Sequence, residues 1–194
     1  MKAKNTNYFP LLSSLFLWVS FFLFSPIIHS ADLEAGKSKS AMCQGCHGSD
    51  GHSQSAQYPS LAGQRALYLQ NQLKAFQSGK RISPIMQSMA ANLSKQDILN
   101  ISTYFASRSL EKKETGSIVD KKGKSKVAMC LGCHGSNAQG LSSFPRLAGQ
   151  QPAYLKKQLL NFKNRTRKGG PMNSITATLS EQDIDEIATY LGNL

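Results

Sequence analysis

Cys43-Gln-Gly-Cys46-His47 and Cys130-Leu-Gly-Cys133-His134 are the two stretches on which the reading of this chain turns. They hold all four cysteines of the 194 residues. Each closes a longer repeated segment. Gly36-Lys-Ser-Lys-Ser-Ala-Met-Cys43 returns as Gly123-Lys-Ser-Lys-Val-Ala-Met-Cys130, shifted by 87 positions. One residue is then lost, and Pro59-Ser-Leu-Ala-Gly-Gln64 returns as Pro145-Arg-Leu-Ala-Gly-Gln150 at a shift of 86. That shift holds through Tyr68/Tyr154, Gln72/Gln158, Phe76/Phe162, Arg81/Arg167, Met86/Met172, Ser94/Ser180, Asp97/Asp183 and Tyr104/Tyr190. The chain is therefore two copies of one small unit, too few for a solenoid.

The periodicity predicts helices in each unit. Leu67, Tyr68, Leu73 and Phe76 follow helical spacing, as do Tyr154, Leu155, Leu159 and Phe162. Ser94 with Asp97, and Ser180 with Asp183, resemble capping boxes that open a last helix. Ile98, Ile101, Tyr104 and Phe105 then form one apolar stripe, matched by Ile184, Ile187, Tyr190 and Leu191. The segment between His47 and Leu67 is rich in Gly, Ser, Pro and Gln and reads as loop. No useful strand alternation appears, so the fold class is all-α. A unit this small needs a staple to supplement its core.

The N-terminus reads as an export signal. Lys2 and Lys4 precede an apolar run from about Leu11 to Ile28, and the small residues Ser30 and Ala31 follow. Removal is favoured over an uncleaved anchor, for which the run is barely long enough. The expected organisation is a signal peptide over 1–30, a first domain over 31–110, a linker over 111–122 and a second domain over 123–194. The chain carries 23 Lys and Arg against 11 Asp and Glu. After export such a charge suits an anionic membrane surface or an acidic protein partner, and argues against nucleic acid. Lys121, Lys122, Lys124 and Lys126 read as a solvated helix start.

Two cysteines three apart on a helix point the same way, with the following histidine beside them. That geometry lets two thiols add to the vinyl groups of one haem while the imidazole reaches the iron. It is the attachment signal for c-type haem, here present twice. Zinc pairs are usually 15–20 residues apart, a thioredoxin-like pair needs a βαβ context, and plain disulfides leave His47 and His134 unexplained. The cofactor-binding residues are thus Cys43, Cys46, Cys130 and Cys133, and the cofactors are two covalently bound haem c groups. His47 and His134 are the proximal iron ligands. The sixth ligand is expected from Met86 and Met172, which match across the repeat in Gly/Pro-containing loops. Core packing is the competing role for a lone methionine, and the matched pair favours ligation. His52 faces Gln139 in the repeat and reads as a surface histidine. Closed His/Met coordination leaves no open iron position and raises the potential. Such a protein moves single electrons and is not an enzyme; no catalytic residue and no small-molecule substrate are expected.

The paired motifs, Pro-x-Leu-Ala-Gly-Gln, and the Met segment leading to Leu-Ser-x-x-Asp-Ile resemble the dihaem cytochromes c of the cytochrome c4 type across residues 32–194. The resemblance implies two class I cytochrome c domains related by a pseudo-twofold axis, with haem propionates near their interface. It implies that the Pro59 and Pro145 carbonyls orient the proximal histidines, and that Arg81 and Arg167 lie near propionates, a surface role being the alternative. Ser60 stands where the second unit has Arg146, which puts equal surface charge around the two haems in doubt. The family links a quinol-oxidising complex to a terminal oxidase, some members associating peripherally with the membrane. Redox partners with acidic docking surfaces and a periplasmic location follow. The dihaem subunit of a flavocytochrome c sulfide dehydrogenase is the alternative.

Overall fold

The computed structural model describes residues 2, 30–110 and 122–194. The expected signal peptide and nearly all of the expected linker lie outside the described residues, and Lys122 opens a helix. The described residues contain no strand beyond a single bridge between Leu141 and Phe144, so the chain is all-α as expected. None of their helices is long and apolar enough to cross a membrane.

The first unit runs through α1 (Leu33–His47), α2 (Ala66–Gln77), α3 (Pro84–Ala90) and α4 (Lys95–Ser107). The second repeats it as α5 (Lys122–Lys126), α6 (Ala128–His134), α7 (Pro152–Lys163), α8 (Pro171–Ala177) and α9 (Glu181–Gly192). The counterpart of α1 is thus split. At Val127 the turn tightens: its N–H donates to Gly123 O at 3.1 Å, and Cys130 N–H reaches back three residues to Val127 O at 2.8 Å.

In each unit the first and last helices cross at a glycine. A Cβ added to Gly36 would lie 2.4 Å from the backbone oxygen of Asn100, and one added to Gly123 would lie 2.4 Å from that of Glu186. The glycines let the backbones touch and put Tyr104 and Tyr190 against them. Around these crossings Leu69, Ile101, Tyr104 and Phe105 form one core, and Val127, Leu155, Ile187, Ala188 and Leu191 another. The apolar stripes expected on α4 and α9 are these inward faces.

Both last helices start with full capping boxes. Ser94 and Ser180 accept from the N–H groups of Asp97 and Asp183, whose carboxylates accept from the serine N–H groups at 2.9 Å in both units. Asp183 also takes Lys126, which bridges to Glu186 and ties α5 to α9. Hydrogen bonds from Lys126 and Ser180 hold the Asp183 carboxyl well below the usual carboxylate range, and Ser94 does the same for Asp97 to a smaller degree. A carboxyl whose pKa falls on folding stabilises the fold above its unfolded value of about 3.9, and that contribution is lost as pH falls through the folded value. Acid titration followed by circular dichroism should therefore show helix loss below about pH 4. Asp183→Asn should flatten that acid transition and leave the neutral-pH spectrum unchanged.

Candidate functional site

His47 ends α1 and His134 ends α6, so each imidazole leaves the helix where the chain must turn. Gly48 and Gly135 make that turn, at φ 79° and 87°, a region that disfavours side chains. Both histidines are buried, 7 % and 6 % exposed. His47 Nδ1 donates to Pro59 O at 2.9 Å, and His134 Nδ1 donates to Pro145 O at the same distance. This is the role implied for the two prolines. With Nδ1–H spent on a carbonyl, the Nε2 lone pair is the one left to bind a metal. Burial pushes both imidazoles down from their ordinary pKa, the proline carbonyls only partly opposing it, so each ring is neutral near pH 7. Tyr58 and Phe144 stand edge-on to the rings, centroids 6.1 and 6.0 Å away.

All four cysteines are unpaired, Cys46 and Cys133 exposed and Cys43 and Cys130 half-buried. Burial, helped by Cys46, pushes the Cys43 thiol up to about 11, and burial raises Cys130. A redox-active Cys-x-x-Cys needs a lowered thiol pKa, so this environment opposes the thioredoxin-like reading. Among the described residues no three or more His, Cys, Asp or Glu side chains converge on a metal position, so the two cysteine pairs do not form a shared zinc site. Paired thiols on one face with a neutral, oriented imidazole beyond them are the donor set that a covalently attached haem requires. The residues present fit that group in both units.

Met86 and Met172 are half-buried and occupy the first turns of α3 and α8, not loops as expected. The reason is local. Ser83 caps α3 and Pro84 fills its first position; Pro171 does the same for α8, entered from Gly170. Each methionine is thereby fixed at a helix start. Met42 and Met129 stay at the surface, 47 % and 55 % exposed.

Reciprocal contacts join the two units. Arg81 donates to Gln72 of its own unit at 2.7 Å, then to Tyr154 Oη at 2.9 Å and Gln158 at 3.1 Å in the other. Arg167 mirrors it, reaching Gln158 at 2.6 Å, Tyr68 Oη at 3.2 Å and Gln72 at 2.9 Å. Each guanidinium also lies over a phenylalanine of its own unit, Phe76 at 4.7 Å and Phe162 at 4.5 Å. Burial raises the Tyr68 phenol, and the Arg167 and Arg81 charges outweigh it, leaving a net downward shift. A second mirrored set joins the Pro-x-Leu-Ala-Gly-Gln segments. Gln64 Nε2 donates to Arg146 O at 3.0 Å, and Gln150 Nε2 to Ser60 O at 3.0 Å. Arg81 and Arg167 are thus joints between the units and not surface arginines.

The sequence reading missed the partners of this interface. Tyr68, Tyr154, Gln72 and Gln158 were visible as matched positions, but nothing local marks them as facing the other unit. Two expectations change. Arg146 is 2 % exposed, so it adds no charge to the surface around either haem. His52 is half-buried and lines a cleft where the units meet.

The cytochrome c family model matches residues 33–109 and again 121–194. Cytochrome c4 of Pseudomonas aeruginosa is 37% identical over 184 residues, covering 87% of this chain and 92% of that protein. A protein of Stutzerimonas stutzeri named thiosulfate dehydrogenase electron acceptor is 34% identical over 179 residues, covering 83% of each. The crystal structure of reduced recombinant cytochrome c4 from Pseudomonas stutzeri superposes with a TM-score of 0.78 at 33% identity, covering 85% of this chain and 100% of that one.

Proposed function

We propose that this chain, which belongs to the cytochrome c4 family and carries two covalently bound haem c groups, moves single electrons in the periplasm from a quinol-oxidising complex to a terminal oxidase. Family membership makes it a dihaem electron-transfer protein; its place in a respiratory chain is our reading. The haem iron, when bound, supplies a reversible one-electron change. In this reading the protein divides into a removed leader over 1–30 and domains over 31–110 and 123–194.

Thioether attachment falls to Cys43 and Cys46 in the first domain and to Cys130 and Cys133 in the second. His47 and Met86 are the axial ligands of one iron, His134 and Met172 of the other. The observation that carries the reading is the equal 2.9 Å contact from each proximal Nδ1 to a proline carbonyl. It holds each imidazole in one tautomer and one orientation, so a change of oxidation state requires no movement of that ligand. Thioether sulfur on the far side would close the coordination sphere and favour the reduced state.

The charge distribution supports acidic partners. No Asp or Glu occurs between Gly51 and Gln96, or between Lys121 and Ser180, the segments that carry the ligand residues from Met86 onward and the whole second motif. Electron exchange with an acidic partner should slow at least severalfold between low salt and 0.5 M salt in stopped-flow mixing, since exposed charges are screened beyond about 10 Å at 0.1 M. A flat salt dependence counts against basic docking.

A second reading makes the donor a periplasmic dehydrogenase of reduced sulfur compounds, with flavocytochrome c sulfide dehydrogenase one form. The relative named for accepting electrons from thiosulfate dehydrogenase favours it. Membranes of the source organism given a quinol should reduce the purified holoprotein, and the oxidase should then reoxidise it. Failure of both steps, with rapid reduction by a sulfur-compound dehydrogenase, would replace the first reading by the second.

A further inference from the structure

Among the described residues Arg146 is a buried charge with no charged partner. It is 2 % exposed and sits where the two units meet. Nη2 donates to Ala62 O of the first unit at 2.9 Å, and Nη1 donates to Ala148 O of its own. Nε is buried and has no hydrogen-bond partner. Both acceptors are neutral carbonyls. Desolvation pushes the guanidinium down to about 10, with no opposing carboxylate contribution. A buried cation held only by neutral dipoles is expensive, and it is normally matched by an anion.

A cleft of about 240 Å³ opens against this group, lined by His52, Ser53, Ser60, Arg146 and Gln151 among others. The lining carries hydroxyls, amides, an imidazole and the guanidinium, and no Asp or Glu. Its wall is braced from both units: Gln151 Nε2 donates to Ser53 O at 2.6 Å, and Ser53 N–H donates to Ser60 Oγ at 3.3 Å. The second half of the repeat supplies the only arginine of the pair, since the first unit has Ser60 at the matching position. The cleft is therefore a single site made by joining two unlike halves.

We propose that this inter-unit cleft is an oxyanion site in which Arg146 is the principal charge and His52 and the serine hydroxyls are supporting donors. The site takes a group of the phosphate, sulfate or carboxylate class. That chemistry has two sources: a free ion from the solvent, or a propionate of a haem already in the protein. Both place an oxyanion on Arg146. A free ion occupies the site reversibly and makes the joint between the units ion-dependent; a propionate occupies it permanently.

Calorimetric titration of the purified holoprotein with inorganic phosphate, at constant ionic strength maintained by chloride, separates the sources. A free-ion site gives one saturable binding event per chain. Arg146→Gln should weaken it at least tenfold, and His52→Gln should weaken it severalfold. The second variant leaves the inter-unit hydrogen bonds of Arg146 in place, so it decides this arm if Arg146→Gln does not fold. A propionate in the site gives no saturable phosphate binding in the unaltered protein. Arg146→Gln, or Arg146→Lys if the former does not fold, then lowers one haem's midpoint potential. A tenfold change in that redox equilibrium corresponds to ~59 mV for one electron. The proposal is overturned by phosphate binding that neither variant weakens, or by absent binding together with unchanged midpoint potentials.

Discussion

Gly123→Val is expected to leave the second unit unfolded or barely folded while the first retains its helices. The new Cβ would meet Glu186 O at 2.4 Å and Tyr190 Cβ at 2.5 Å, distances that side-chain rotation cannot relieve because one partner is backbone. α5 would have to lift from α9, breaking the contact that Lys126 makes with Asp183 and Glu186. Overpacking inside a core costs about 1–3 kcal/mol, and a backbone clash at a helix crossing should exceed that, on the order of 4 kcal/mol. A unit of this size has little more than that in reserve. Gly36→Val should do the same to the first unit through Asn100 O. Denaturant unfolding of the holoproteins should show, in each valine variant, the altered unit's transition lost or moved to low denaturant while the other unit's transition persists. Single transitions at the parental midpoint would show that the crossings tolerate a side chain.

Met172→Leu should abolish the sulfur-to-iron charge-transfer band of one haem and leave the other intact. Leucine preserves the volume and the half-buried position at the start of α8, so the helix and its packing should survive. On the proposed ligand assignment the lost donor is the thioether that favours reduced iron, so that haem's midpoint potential should fall by a sizeable part of the ~0.8 V range over which axial ligands set haem potentials. The vacated position should also let the reduced protein bind carbon monoxide at one haem. Met86→Leu should do the same to the other. Because the two methionines belong to different units, the double variant should lose both bands additively. Retention of both bands in either single variant sinks the ligand assignment.

The capping boxes, the stretches of chain without Asp or Glu and the joint between units are separate elements, tested in turn by acid titration, salt dependence and phosphate binding. Loss of one result leaves the others standing. The ligand substitutions read the haem irons directly, whereas the glycine substitutions read the frame that carries them.

Much of this protein is written locally in its chain. A Cys-x-x-Cys-His motif places its three donors within five residues, so the haem-binding chemistry was legible without knowing what the helix packs on. The capping boxes span four residues, Ser94 to Asp97 and Ser180 to Asp183, and both form as read. The repeat fixed the presence of two equivalent units. Gly and Pro make the methionine segments ambiguous in sequence: Pro84 and Pro171 would break a chain inside a helix but start one at its first position.

Tertiary structure alone decided how the halves meet. Arg167 and Tyr68 are 99 positions apart, and Arg81 and Tyr154 are 73 apart; no periodicity links such pairs. The same holds for Arg146, which as a sequence letter is a surface cation and in the fold is a buried one. Helical period and capping act over three or four residues, so they are encoded where they act. Burial and long-range hydrogen bonding depend on which surfaces come together, and that is fixed only when both units have folded and docked.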